Sequence, residues 1–147
     1  MPPLISIVMR THNRARILPR AIDSVLAQTL QDFELIIVDD CSTDSTGVVI
    51  AAYAALSKSI VPVIRTERDE TRDFRVQAMN AGLAKVRGRF IAYLDDDNLW
   101  DRRYLAAMHG VFAGDPSLHL VYCDTCNHAA AEVLQAEAAR DERKLLL

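Results

Sequence analysis

The feature that most limits the fold is a set of short, nearly unbroken apolar runs. LISIVM (Leu4–Met9), FELIIV (Phe33–Val38) and FIAYL (Phe90–Leu94) carry almost no polar residue and are rich in β-branched side chains. A strand with one wet face alternates polar and apolar residues. Runs such as these therefore predict strands covered on both faces, as in a parallel sheet. VPVI (Val61–Ile64) and LHLVYC (Leu118–Cys123) read as two further strands. Between the first two runs, Leu18, Ile22, Val25 and Leu26 fall on one helical face, where Pro19 fits only in the first turn. The polar stretch CSTDST offers N-cap residues ahead of VVIAAYAAL. Val76, Met79, Leu83 and Val86 predict a third helix ended by Gly88. Asp101 is placed to cap a fourth helix carrying Leu105, Met108 and Phe112, which Gly114-Asp115-Pro116 stops.

This alternation of strand and helix predicts an open, mostly parallel sheet with right-handed crossovers, a three-layer α/β/α, Rossmann-like architecture. The chain has 147 residues, half of them hydrophobic and a quarter charged, which suits one globular domain with a real core. A net charge of −3 gives no general attraction to nucleic acid or to an anionic membrane. No apolar run approaches the ~20 residues of a membrane span, and MPPLISIVMRTHNR lacks a secretory layout. The three cysteines make an odd count, unsuited to a complete disulfide framework. A reduced, cytoplasmic protein is expected, with the inner membrane face as a site of peripheral association.

In open parallel sheets, ligands bind beyond the carboxyl ends of the strands. The first run ends in Arg10-Thr11-His12-Asn13, the second in Asp39-Asp40-Cys41-Ser42 and the fourth in Asp95-Asp96-Asp97-Asn98. Parallel strands would bring these three clusters to one edge. One acidic turn is ordinarily a solvated strand end or a helix cap. Three clusters on one edge point instead to a ligand: carboxylates for a cation, an imidazole that can stack on a base, and short polar side chains. That set suits a nucleoside diphosphate with Mg2+ or Mn2+, a hard cation that takes one or two carboxylates plus diphosphate oxygens.

The same residues carry a family resemblance. SIVMRTHNRARILPRAIDSVLAQTLQDFELIIVDDCSTDST resembles the opening of the family 2 glycosyltransferases, and MNAGLAKVRGRFIAYLDDDNLW resembles their later segment ending in a D-x-D motif. The match runs in order and spacing over roughly residues 4 to 124. It implies a GT-A fold, of the nucleotide-diphospho-sugar transferase type, and a nucleotide-sugar donor, UDP-linked in many members. It also implies metal-dependent transfer with inversion, a hexosyltransferase-like activity. Position by position, Asp40 matches the acid that binds the nucleobase, and His12 stands where an aromatic residue packs on it. Asp95 and Asp97 match the outer acids of D-x-D, with Asp97 as the direct metal ligand, and Asp96 fills the middle place as a ribose contact. Arg72, in Asp69-Glu70-Thr71-Arg72, resembles an arginine that some members point at the donor. The expected nucleotide-sugar contacts are thus Arg10, Thr11, His12, Asp40, Arg72, Asp95 and Asp96, and the expected metal ligands Asp97 and Asp95.

Two positions depart from the family pattern. Arg10 replaces a usual proline or threonine, adding a phosphate contact or crowding the base, and Asn98 replaces a frequent aspartate. Family domains run well past 200 residues, and their second half supplies the acceptor site, the general base and often another metal ligand. The resemblance therefore makes residues 1–128 an incomplete, truncated donor-binding domain and 129–147 a helical tail ending in three leucines. No catalytic base is nominated. A saccharide, lipid-linked or protein acceptor stays open, and an uncovered apolar surface makes self-association an expectation.

Other signals carry less. Cys123 and Cys126, with His128 nearby, have metal-knuckle spacing but no second pair to complete four ligands. His109 and His119 fall within element patterns, and Trp100 reads as packing beneath the acidic loop. Arg102 and Arg103 read as covering a helix start, and Arg87-Gly88-Arg89 as a solvated basic turn. Two rival readings remain. A non-catalytic nucleotide-binding or assembly module would bind donor without any partner. A phospho-acceptor signalling domain shares the acidic pair but carries it after the first strand, not the second. A nucleotidyltransferase would need a glycine-rich basic loop after the first strand, which is absent.

Overall fold

The computed structural model describes residues 1–69, 71 and 73–123. The order of elements is β1 (Ile5–Thr11), α1 (Leu18–Leu26), β2 (Phe33–Asp40), α2 (Thr46–Leu56), β3 (Ile60–Arg65), α3 (Phe74–Leu83), β4 (Phe90–Tyr93) and α4 (Tyr104–Gly114). All strand pairs are parallel, in the order β3-β2-β1-β4. Met1–Ala106 forms one compact unit, and the described residues from Ala107 belong to a second. Among the described residues, no helix is long and apolar enough to cross a membrane.

Strand alternation sorts the apolar runs onto two faces. Ile5, Ile7 and Met9 of β1 and Leu35 and Ile37 of β2 pack with Leu18, Ile22 and Val25 of α1, Ile50 of α2 and Leu105 of α4. Val8, Ile36 and Val38 point the other way and pack with Ala78 of α3. Burial on both faces, expected of all three unbroken runs, holds for β1 and β2; β4, at the end of the strand order, leaves Ile91 46% and Tyr93 54% exposed on one face. Pro19 lies in the first turn of α1, where its missing N–H is no loss.

The structure corrects three further expectations. Leu118–Cys123 forms no strand; Leu120 and Tyr122 stand 76% and 83% exposed, and among the described residues no strand pairs with them to hold them extended. The expected α3 stripe holds at Met79 and Val86, which pack against the Val8, Ile36 and Val38 face, but not at Val76. Val76 is 56% exposed, whereas Ala78 and Gly82 are buried. A Cβ on Gly82 would stand 2.6 Å from Val8 Cγ1 and 3.0 Å from Val38 Cγ2, so small residues set this packing by close approach. Arg87 is not merely solvated, since it pairs with buried Glu34. The expected tail (129–147) and Cys126 and His128 lie outside the described residues.

Candidate active site

β1 and β2 run two residues beyond their apolar runs, so Arg10-Thr11 and Asp39-Asp40 are paired strand residues. Thr11 lies beside Asp39, and Asp40 beside Arg65 of β3. The Leu94 N–H donates to the Val8 carbonyl at 3.3 Å, which starts the acid triplet next to Arg10 and Thr11. All three polar clusters therefore meet at the carboxyl edge of the sheet.

Alternation sends the two acids of β2 to opposite faces. Asp39 turns toward α2: its Oδ1 accepts from the Ser42 N–H at 3.1 Å, and a Cβ on Gly47 would stand 3.4 Å from its Oδ2. Asp40 turns toward α3 and is fully buried. Arg65 pairs with its Oδ1, and Arg68 Nη2 lies 3.1 Å from its Oδ2. Arg65 also donates to Gln77 Oε1 at 2.8 Å, and Gln77 Nε2 donates to the Asp69 carbonyl at 2.7 Å. The segment after β3 is thereby folded over Asp40.

The loops after β1 and β2 brace each other. Asn13 and Cys41 adopt left-handed backbone, with φ of 52° and 60°, unfavourable for residues with a Cβ. Asn13 Oδ1 accepts from the N–H groups of Thr43 at 2.7 Å and Asp44 at 3.3 Å, and Arg14 N–H donates to Thr46 Oγ1 at 2.9 Å. His12 Nδ1–H donates to the Asp40 carbonyl at 2.8 Å, leaving Nε2 to accept from Asn13 Nδ2 at 3.3 Å. This tautomer follows from the partners. A shallow cavity of about 200 Å³, lined by Asn13, Arg14, Ala15, Arg16, Ile17 and Asp44, opens beside the brace.

The acid triplet divides by exposure. Asp95 and Asp97 are exposed, while Asp96 is buried between them. Burial pushes the Asp96 carboxyl above its ordinary range; Thr11, Arg14 and Arg10 oppose that shift, and Asp97 adds to it. Thr11 Oγ1 is itself buried without a hydrogen-bond partner. The far end of the loop is pinned to α1. The Trp100 N–H donates to Ser24 Oγ at 3.2 Å, and Gln28 reaches the Asp101 carbonyl at 2.6 Å and the Leu105 N–H at 2.9 Å. Trp100 stacks on Tyr104 at 4.4 Å and packs against the core, as expected.

The family model for glycosyl transferase family 2 matches residues 6–129. The chain belongs to this family. It is 38% identical over 109 residues to an uncharacterized glycosyltransferase of Nostoc, covering 74% of this chain and 32% of that protein. It is 34% identical over 97 residues to the Escherichia coli UDP-Glc:alpha-D-GlcNAc-diphosphoundecaprenol beta-1,3-glucosyltransferase WfgD, covering 66% of this chain and 36% of the other. The mannosyltransferase PcManGT of Pyrobaculum calidifontis, solved with GDP-Man and Mn2+, superposes with a TM-score of 0.75 at 26% identity, over 91% of this chain and 39% of that one. The fold is GT-A, and the chain spans about a third of the length of these relatives.

In this family 2 chain, the structure brings Arg10, Thr11, His12, Asp40, Asp95, Asp96 and Asp97 to one edge; Arg72 lies outside the described residues. Arg65 and Arg68, the partners of Asp40, were missed by sequence reading, as was the bracing role of Asn13. The Q-T of SVLAQT was a usable signal for Gln28. Among the described residues, no three His, Cys, Asp or Glu groups converge as a metal cage. The donor set still fits Mg2+ or Mn2+: Asp95 and Asp97 offer hard, exposed carboxylates two residues apart, and diphosphate oxygens and water complete such a shell.

Proposed function

We propose that this chain is the donor-binding part of a metal-dependent, inverting family 2 glycosyltransferase that takes a nucleotide-sugar, with UDP as the nucleotide. The supporting observation is the placement of exposed Asp95 and Asp97 around buried Asp96, beside Arg10 and Thr11, at the carboxyl edge of a parallel sheet. UDP-Glc in the name of WfgD, and GDP-Man with Mn2+ on PcManGT, support a nucleotide-sugar and a divalent ion. In this reading Asp97 holds the metal with Asp95, Asp96 meets the ribose, His12 packs on the base and Asp40 accepts its ring N–H. Bound Mn2+ or Mg2+ would offset charge on the leaving diphosphate. The acceptor is lipid-linked in the name of WfgD, and no described residue is nominated as the base that activates it. In this reading Asp40 and Asp95–Asp97 all stand on the nucleotide side, occupied by base, ribose and metal.

Calorimetry of UDP with Mn2+ and with chelator tests the reading. The diphosphate meets three aspartates, so binding should be weak without the cation, and Asp97→Asn should remove most of the metal dependence. Equal UDP affinity with Mn2+ and with chelator would sink it. A non-catalytic binding module predicts the same calorimetry. Glycoside formation restored by a polypeptide supplying the rest of the family domain separates the two.

A further inference from the structure

We infer that Arg68 is an internal competitor for the nucleobase: its guanidinium caps the Asp40 carboxylate and has to swing away before a base can reach it. The inference rests on the donor-binding reading and concerns how that site opens.

Asp40 has no exposed surface, and Arg65 and Arg68 provide the ionic cover. The two arginines are held differently. Arg65 sits opposite Asp40 in the strand register and binds its Oδ1, the Glu67 carbonyl at 3.1 Å and Gln77 Oε1 at 2.8 Å. It belongs to the scaffold. Arg68 lies on the segment after β3, with its guanidinium 5.0 Å from the Phe74 ring centre. Its Nη2 donates to the Asp40 carbonyl at 2.6 Å and stands 3.1 Å from Oδ2. Yet Asp40 Oδ2 and Arg68 Nε are both buried with no hydrogen-bond partner. A settled arginine–carboxylate fork would satisfy both atoms through two parallel bonds. Arg68 covers the carboxylate without saturating it.

An unsaturated, charged acceptor under a displaceable cap suits a ligand with a ring N–H. Uracil N3–H and guanine N1–H can donate to Oδ2 once Arg68 leaves. The matching nitrogens of cytosine and adenine are acceptors and would face Oδ2 with like partial charge. The competent fraction of the site is then the fraction with Arg68 displaced, and apparent affinity falls by that fraction. The opposite role, in which Arg68 stays and donates to a base carbonyl, predicts the opposite sign on its removal.

The experiment measures UDP and inorganic pyrophosphate binding by calorimetry with Mn2+ for wild type, Arg68→Ala, Arg68→Lys and Phe74→Leu. Arg68→Ala should tighten UDP, by about tenfold if the capped pose holds ~90% of molecules. Pyrophosphate, which has no base, should change by less than about twofold on the same arithmetic. Arg68→Lys should fall between wild type and alanine. Phe74→Leu, which removes the ring under the cap, should shift UDP in the same direction by less. An Arg68→Ala variant that binds UDP more weakly than wild type, or equally, overturns the inference while leaving the donor-binding reading intact. If neither wild type nor Arg68→Ala binds UDP, the donor-binding reading falls and the inference with it.

Discussion

The two edges of the sheet are built on different rules. At the amino edge, Glu34 is a nearly buried acid whose bonding is complete. It accepts from Ser6 Oγ at 2.6 Å, from the Arg87 N–H at 3.0 Å, and from Arg87 Nε at 2.9 Å and Nη2 at 2.5 Å. The Gly88 N–H closes the cluster on Ser6 Oγ at 2.8 Å. At the carboxyl edge, Thr11 Oγ1, Asp40 Oδ2 and Arg68 Nε are buried without hydrogen-bond partners, and Asn13 and Cys41 hold left-handed backbone. The buried unpartnered side-chain atoms found among the described residues all lie at this edge or in the segment folded over it. An unpaired buried polar group costs about 1–3 kcal/mol, so such groups persist where a ligand can use them. One edge fastens the fold; the other keeps bonding capacity in reserve.

The sharpest way to break that contrast is to jam the fastened edge. A Cβ on Gly88 would stand 2.6 Å from the Ser6 nitrogen and 2.8 Å from the Ile5 carbonyl carbon, both backbone atoms. Gly88→Val should therefore cost about 3 kcal/mol or prevent folding, because a strand has to move to admit it. A urea midpoint close to wild type would show that this edge yields as readily as the other.

Glu34→Gln is the next largest test. Burial works against the Glu34 charge, but its bonds to Ser6 and Arg87 outweigh it and hold the carboxyl below its ordinary 4.5. A depressed carboxyl contributes stability above its unfolded value that is lost as pH falls through its folded value. Wild type should therefore lose stability below about pH 4.5 more steeply than Glu34→Gln. At neutral pH the substitution should cost about 2 kcal/mol, the range for a hydrogen bond to a charged partner. Parallel urea midpoints from pH 7 to pH 3 would place the anchor elsewhere.

How far these edges were legible in the chain depended on whether the cause was local. β1 and β2 announced themselves because burial on both faces needs an unbroken apolar run, and that pattern is local; β4 has the run but keeps one face exposed. LHLVYC has the same pattern and no strand, because strand formation needs a neighbour and its side chains stand exposed. The gathering of Thr11, Asp40 and Asp95–Asp97 at one edge followed from parallel topology alone. The partners of Asp40 did not. Arg65 meets it through the register of β3 on β2, and Arg68 through a turn beyond β3, neither of which composition reveals. Glu34 read as part of an apolar strand and Arg87 as a solvated turn, yet they are separated by 53 residues and pair across the amino edge.

Asn13→Ala probes the brace between the two loops at the carboxyl edge. It removes the acceptor for the Thr43 and Asp44 N–H groups and forces alanine to a φ of 52°. Each effect is worth roughly 1 kcal/mol, so a loss of about 2 kcal/mol is expected. Asn13→Gly keeps the backbone and loses only the brace. Its smaller loss, measured in the same urea series, separates strain from bonding. If the two variants match, the left-handed backbone carries no cost here.

The smallest effect has the opposite sign. Cys41 lies between Asp40 and Ser42 at a φ of 60°, where an L side chain is strained and glycine is not. Relief of that strain, roughly 1–2 kcal/mol, exceeds the loss from freeing a glycine in the unfolded chain, about 0.5–1 kcal/mol. Cys41→Gly should therefore stabilise the chain by about 0.5 kcal/mol. It should also loosen the turn that carries Asp40 to the ligand edge, so UDP affinity should fall slightly while the urea midpoint rises. That trade of binding against stability belongs to an edge whose strain serves a ligand. A Cys41→Gly variant that loses stability would mean the thiol packs well enough to offset its backbone, and the carboxyl edge would then be fastened like the amino one at this position.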